Sequence, residues 1–280
     1  MKIYTIAFNF IILLASLILT FKLTTITPTK QGFFCNDVKI RYPAVEKETV
    51  PPILMVISLI VPALLIIIIS ETTITFLTHD STINPVLSIV KGAISTIVNL
   101  SIGICIVTII TEILKSTVGE LRPTFIDVCR PDWEQLFCTS DPTHYESEPY
   151  CTISDELILA DLRKSFPSGH ASFSAFITWT IGIYIVNQYK VLSQTLPWPI
   201  IIQRCGIINA LAFIIVGIWT SASTVADNKH HLHDVIAGYI IGVVVGIGFS
   251  YKWISYSIST KNEDECNCSM QKHVEKNTTI

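Results

Sequence analysis

Six long apolar runs, each nearly free of charge, constrain this chain more than any other feature. They fall at about 3–22, 52–71, 93–114, 171–188, 206–223 and 235–254. A helix needs roughly 20 apolar residues, at about 1.5 Å each, to cross the hydrocarbon of a bilayer. A soluble helix shows an apolar stripe, whereas these runs are apolar on every side, as a segment solvated by lipid is. The expected fold is therefore all-α: a polytopic membrane protein with about six transmembrane helices over residues 1–255, then a polar, disordered cytosolic tail at 256–280. Charged residues make up 15% of the chain, against about 25% in soluble proteins. A net charge of −3 with no basic stripe argues against nucleic acid as a partner.

Local details fit helices packed in lipid. Lys2 before the first run suggests a signal peptide, but the run is too long for one and ends without a small-x-small cleavage site, so a retained helix is expected. Pro62 interrupts the second run, which neighbouring helices tolerate in a membrane. Gly238, Gly242 and Gly246 form a small-residue ladder on the sixth run, a face for close packing.

Six spans put the loops 23–51, 115–170 and 224–234 on one face, and the termini with loops 72–92 and 189–205 on the other. Lys and Arg number 11 on the first face, counting Lys22, and 8 on the second, so charge does not orient the protein. Cys35, Cys129, Cys138 and Cys151 all fall on the first face and are expected to form two disulfides in an oxidising compartment. That favours an extracytosolic first face. Cys105 and Cys205 lie in or beside runs, and Cys266 and Cys268 in the tail are candidates for palmitoylation.

Three polar segments converge on that first face. Lys115 and Arg122-Pro123 follow the third run; seven residues is about two helical turns, so the pair shares a side and offers a point charge and a planar fork to phosphate oxygens. The plain alternative is snorkelling to the interface. Pro167-Ser168-Gly169-His170 opens the fourth helix, where free N–H groups, a side-chain-free Gly169 and the Ser168 hydroxyl suit an anion, and His170 can protonate a leaving oxygen. Its plain alternative is a serine N-cap. His230 and Asp234, one turn apart, suit a carboxylate that fixes the imidazole tautomer and leaves Nε2 as a nucleophile. His230, His231, His233 and Asp234 also form a dense set of metal donors, but neighbouring residues splay by about 100° on a helix, and no metal is expected.

Lys-x6-Arg-Pro, Pro-Ser-Gly-His and His-x3-Asp, in that order and topology, resemble the type 2 phosphatidic acid phosphatase superfamily. GFFCNDVKIRYP after the first run and DVCRPDW after the first motif resemble its animal lipid phosphate phosphatase branch. The resemblance implies dephosphorylation of lipid phosphate monoesters of the phosphatidate, lysophosphatidate and sphingosine phosphate class, without metal or cofactor, through a phosphohistidine. It implies that His230 attacks phosphorus, Asp234 orients it, and His170 protonates the leaving alkoxide. Lys115, Arg122, Ser168 and Gly169 then hold the phosphoryl oxygens. The implied partners are the lipid substrate and membrane lipids, at a plasma membrane with the site facing outside; assembly as a homo-oligomer stays open.

The pattern breaks at Thr224, where the family has a phosphate-binding arginine. A charged fork is worth roughly 1.5–3 kcal/mol, or about ten- to a hundred-fold in rate or affinity. The alternative function is thus a weakened homologue that binds lipid phosphates or partner proteins. A sequon the family often carries near Phe137-Cys138-Thr139 is missing, while Asn267 and Asn277 head sequons on the opposite face. A channel or transporter would carry ionisable groups within several spans, and only Glu112 is read as such a group.

Overall fold

All six apolar runs are helical over their described residues, and helices account for most of the chain. The structure, a computed structural model, describes residues 3–77, 84–134, 136, 138, 140–147 and 151–250. Its elements are α1 (Ile3–Thr24), β1 (Phe33–Phe34), α2 (Pro52–Leu77), α3 (Pro85–Val118), α4 (Phe125–Cys129), β2 (Tyr145–Glu146), α5 (Glu156–Asp161), α6 (Gly169–Thr195) and α7 (Pro199–Ala226). The last is α8 (Leu232–Ser250). Five of these, α2, α3, α6, α7 and α8, are long and apolar enough to cross a membrane. Helix α1 is 22 residues long, with a shorter apolar stretch at Phe8–Thr24. The expected tail, its cysteines and its sequons lie outside the described residues.

The helices overrun their apolar runs. Helix α3 begins at Pro85 rather than 93, because Asn84 caps it by accepting from the N–H groups of Val86 (3.0 Å) and Leu87 (3.4 Å), with Pro85 at the first helical position. Helices α6 and α7 leave only residues 196–198 of the expected loop 189–205 outside helix. Hydropathy reports where lipid solvates a helix, whereas caps decide where its hydrogen bonds stop. The helices also correct the reading that Glu112 is the sole ionisable group within a span, and Glu71 already closes the second apolar run. Glu71 lies in α2, where it accepts from the Tyr184 hydroxyl of α6 at 3.1 Å, and Lys91 lies in α3.

Helix α6 is the hub. Two thirds of its membrane window (67%) is buried, against 22–33% for the other four, which marks it as the helix the others pack around. Its core face mixes Phe176, Ile177 and Ile181 with small hydroxyl residues. Ser172 meets Thr111 of α3 at 3.0 Å, and Ser174 meets Ser221 of α7 at 2.9 Å. Packing between helices in lipid gains little from the hydrophobic effect, so close approach and shared hydroxyl bonds carry it. The glycine ladder of α8 serves this approach. A β-carbon on Gly238 would come within 2.4 Å of the Ser168 carbonyl oxygen, and one on Gly242 within 2.3 Å of the Ser172 carbonyl oxygen. Helix α2 runs through Pro62 unbroken.

The loops 23–51 and 115–170 fold together at one end as a small cap. Strands β1 and β2 pair antiparallel, Phe33 opposite Glu146. Phe33, Ile40, Leu121, Phe125, Cys129 and Leu162 make its core. Two disulfides form, Cys35–Cys138 and Cys129–Cys151. The four loop cysteines thus pair as the sequence led one to expect. Among the described residues Cys105 and Cys205 are free.

Candidate active site

The cap covers the end of the bundle where the three polar segments meet. Helix α3 stops at Gly119, whose left-handed φ of 70° suits glycine and whose N–H donates to the Lys115 carbonyl. This turn sends the chain sideways, so that Arg122 enters between Asp161 and the loop before α8. The Arg122 Nε donates to the Asp161 carbonyl (2.9 Å), Nη2 to Asp161 Oδ1 (2.9 Å) and Nη1 to the Lys229 carbonyl (3.0 Å). Three of the five N–H groups of the fork are engaged, leaving two for a ligand. The side chain is nearly buried at 7% exposure, so it does not snorkel. Burial works to raise the Asp161 carboxyl, but the nearby charges of Arg122 and Lys115 outweigh it and hold the acid below its ordinary range.

Lys115, in the last turn of α3, lies against Gly169. Its Nζ would be only 3.3 Å from a β-carbon built on that glycine, so the missing side chain leaves the approach open. Glu112 holds Lys115 and Lys164 together, at 3.7 Å from each Nζ. Ser168 caps α6, its Oγ accepting from the Ala171 N–H at 3.4 Å, and its own N–H donates to the Asp234 carbonyl at 3.0 Å. The N-cap role and the anion-site role share one residue. His170 follows within the first turn of α6, and its Nε2 is buried with no hydrogen-bond partner among the described residues.

His230 stands in the turn between α7 and α8, 3% exposed. Its Nδ1 lies 3.7 Å from Asp234 Oδ2, facing it but beyond hydrogen-bond length. Asp234, fully buried, is itself fixed: Oδ2 accepts from the Ser165 hydroxyl at 2.6 Å and from the His231 N–H at 2.8 Å. Burial is the largest cause pushing the His230 pKa down to about 3; Asp234 opposes it, and the positive Arg122 and Lys115 add to it. The imidazole is therefore neutral at physiological pH, with a lone pair free. His170 and His230 lie within the field of the same two cations, Lys115 and Arg122.

The turn is clamped from the cap. Thr49 donates its N–H (2.8 Å) and hydroxyl (2.6 Å) to the two oxygens of Asp227, Glu48 pairs with Lys229, and Asn228 donates to the Pro43 carbonyl at 3.2 Å. Thr224 is 1% exposed. Its hydroxyl is turned back onto the Ser221 carbonyl at 2.8 Å, and its carbonyl accepts from the Lys229 and His230 N–H groups (3.0 and 3.3 Å). Thr224 thus supports the turn and offers no donor to a ligand.

The seven predicted site residues gather at this end of the bundle. Sequence reading missed Ser165, Asp161, Lys164, Glu48 and Asp227, which hold them. Lys164 and Ser165, just before Pro167-Ser168-Gly169-His170, and Asp227, three residues before His230, carried a local signal; Asp161 and Glu48 did not.

The family model of the PAP2 superfamily matches residues 96–259, more than half of the chain. Phospholipid phosphatase 1 of Mus musculus is 29% identical over 241 residues, covering 84% of this chain and 79% of its own. Phospholipid phosphatase-related protein type 5 of Homo sapiens is 29% identical over 242 residues, covering 80% of this chain and 72% of its own. Phospholipid phosphatase 2 of Mus musculus is 26% identical, covering 85% and 81%. No solved structure matches.

Proposed function

The chain belongs to the PAP2 superfamily, and from that premise we propose that it is a metal-independent phosphatase of lipid phosphate monoesters. The observation that carries the reading is a buried His230 facing Asp234 at 3.7 Å, within the field of Lys115 and Arg122. With Nδ1–H toward Asp234, the Nε2 lone pair attacks phosphorus. The bond to the lipid oxygen breaks, and that oxygen takes a proton from His170. Water deprotonated by His170 then cleaves the phosphohistidine, returning His230 and releasing phosphate. Lys115, the two remaining N–H groups of Arg122, the Gly169 N–H and the Ser168 hydroxyl hold the three equatorial oxygens. Cationic side chains at this position offset the transition-state charge that a metal would otherwise offset.

The names of the phospholipid phosphatase relatives support a lipid substrate, and the apolar helices support a reaction at a membrane face. Purified full-length protein in detergent, given a panel of phosphatidate, lysophosphatidate and sphingosine phosphate, is expected to release phosphate equally with EDTA and with added Mg²⁺. Loss of release on chelation, restored by Mg²⁺, would sink the mechanism. Retained lipid phosphate binding with no release would favour the weakened homologue that Thr224 suggests.

The reading also puts the cap outside the cytosol, because both disulfides belong to the cap. An epitope appended after Ile280 is then reached by antibody only once cells are permeabilised. Staining of intact cells would reverse the topology.

A further inference from the structure

One acidic side chain stands where a phosphate site has no evident use for it. Glu48 of the cap pairs with Lys229, the residue before His230. His170 lies within the field of Glu48 as well as of Lys229, Lys115 and Arg122. The carboxylate thus flanks both histidines of the proposed reaction, and its negative charge works against a bound phosphate dianion. Its place is fixed, because Thr49, the next residue, is tied to both oxygens of Asp227. The pair with Lys229 occupies Glu48 Oε1. Glu48 Oε2 is buried and has no hydrogen-bond partner among the described residues. A buried carboxylate oxygen without a donor is costly, and holding Lys229 needs only the other oxygen. The side chain is still 29% exposed, so it lies at the edge of the bundle and not in its core.

We infer that Glu48 Oε2 accepts a hydrogen bond from the leaving group of the substrate, so that the enzyme prefers lipid phosphates carrying an ammonium, and next a hydroxyl, on the carbon beside the phosphorylated one. The inference deepens the proposed function and rests on the role given there to His170. A group that protonates the leaving oxygen comes within about 3 Å of it. A substituent on the neighbouring carbon is three bonds from that oxygen. It therefore falls among the groups around His170, of which Glu48 is an acid with an oxygen to spare. The possible substituents differ in what they offer. An ammonium brings three donors and a positive charge, and a hydroxyl brings one neutral donor. An acyl ester oxygen brings no donor and turns a lone pair toward the carboxylate. An ammonium held by Glu48 also offsets the repulsion between that acid and the phosphate. Sphingosine phosphate carries the ammonium, lysophosphatidate the hydroxyl and phosphatidate the ester.

The test uses full-length protein in detergent and three single-chain lipid phosphates of matched chain length. They are sphingosine phosphate, lysophosphatidate and 2-deoxy-lysophosphatidate, which has only hydrogen on the carbon in question. Wild type is expected to show kcat/KM falling in that order, by about ten- to a hundred-fold from first to last, the worth of one charge-assisted hydrogen bond. Glu48→Gln keeps the size of the side chain and loses its charge. It is expected to cut the ratio of sphingosine phosphate to 2-deoxy-lysophosphatidate turnover by about ten-fold. Glu46→Gln, at an exposed position of the same loop, is expected to leave that ratio as it is. A residue that only positioned Lys229 would change all three rates alike, so a wild-type ratio in folded Glu48→Gln overturns the assignment. The wild-type comparison needs no variant, and equal kcat/KM for the three lipids overturns it as well. If wild type releases phosphate from none of them, the proposed function fails. Binding of their non-hydrolysable phosphonate analogues, read as thermal stabilisation, then tests Glu48 by itself. The same order of stabilisation upholds the recognition, and equal stabilisation by all three overturns it.

Discussion

His230→Ala is expected to lower phosphate release by on the order of 10⁴-fold or more, the scale seen when a nucleophile acting in concert with its partners is deleted. The substitution removes the attacking atom, and no neighbour replaces it. His231 Nε2 is tied to the Leu121 carbonyl, and His233 Nε2 faces Glu120. The fold has little reason to suffer, because the His230 ring makes no side-chain hydrogen bond with its Nδ1, so truncation removes packing and no bond from that atom. Measured on purified protein with a lipid phosphate substrate, activity should fall to background while a phosphate analogue such as vanadate still protects the fold thermally. Wild-type turnover in His230→Ala would remove the nucleophile assignment and the mechanism with it.

Arg122→Ala is expected to lower kcat/KM by about two to three orders of magnitude, each lost charge-assisted bond being worth roughly 1.5–3 kcal/mol. Two losses act together. The phosphoryl group loses the remaining N–H groups of the fork, and the turn carrying His230 loses its tether, since Nη1 holds the Lys229 carbonyl at 3.0 Å. Arg122→Lys restores the charge but not the planar fork that reaches Asp161 and Lys229 at once, so it should recover only a small part of the activity. A guanidinium that merely snorkelled would leave kcat/KM unchanged in both variants, and that result would strip Arg122 of its role.

The apolar runs, the six helices and the three chemical motifs were legible because each is local. Apolar content over some 20 residues reports the solvent of a segment whatever it packs against. The close-packing ladder of Gly238 and Gly242 on α8 follows from periodicity, whereas His230 stands before α8 begins at Leu232, so the turn and not the helical spacing sets it facing Asp234. Helix ends were less legible: Asn84 and Ser168 set them through cap bonds that hydropathy does not register.

Other features depend on contacts between residues far apart in the chain. Four loop cysteines allow three pairings, and the folded cap selects Cys35 with Cys138 and Cys129 with Cys151. Asp161 anchors Arg122 from 39 residues away, and Thr49 clamps Asp227 across 178. The neutrality of His230 is of the same kind, since burial is its largest cause and burial exists only once α3, α6 and α8 have met around the turn. The sequence by itself determined a lipid-solvated helical chain with the motifs proposed for phosphate chemistry toward one end, because solvent preference and motif spacing are properties of short segments. Only the tertiary structure decided which charges surround that chemistry, and that Thr224 points its hydroxyl away from it. Both depend on how close distant segments come, and local spacing does not encode those distances.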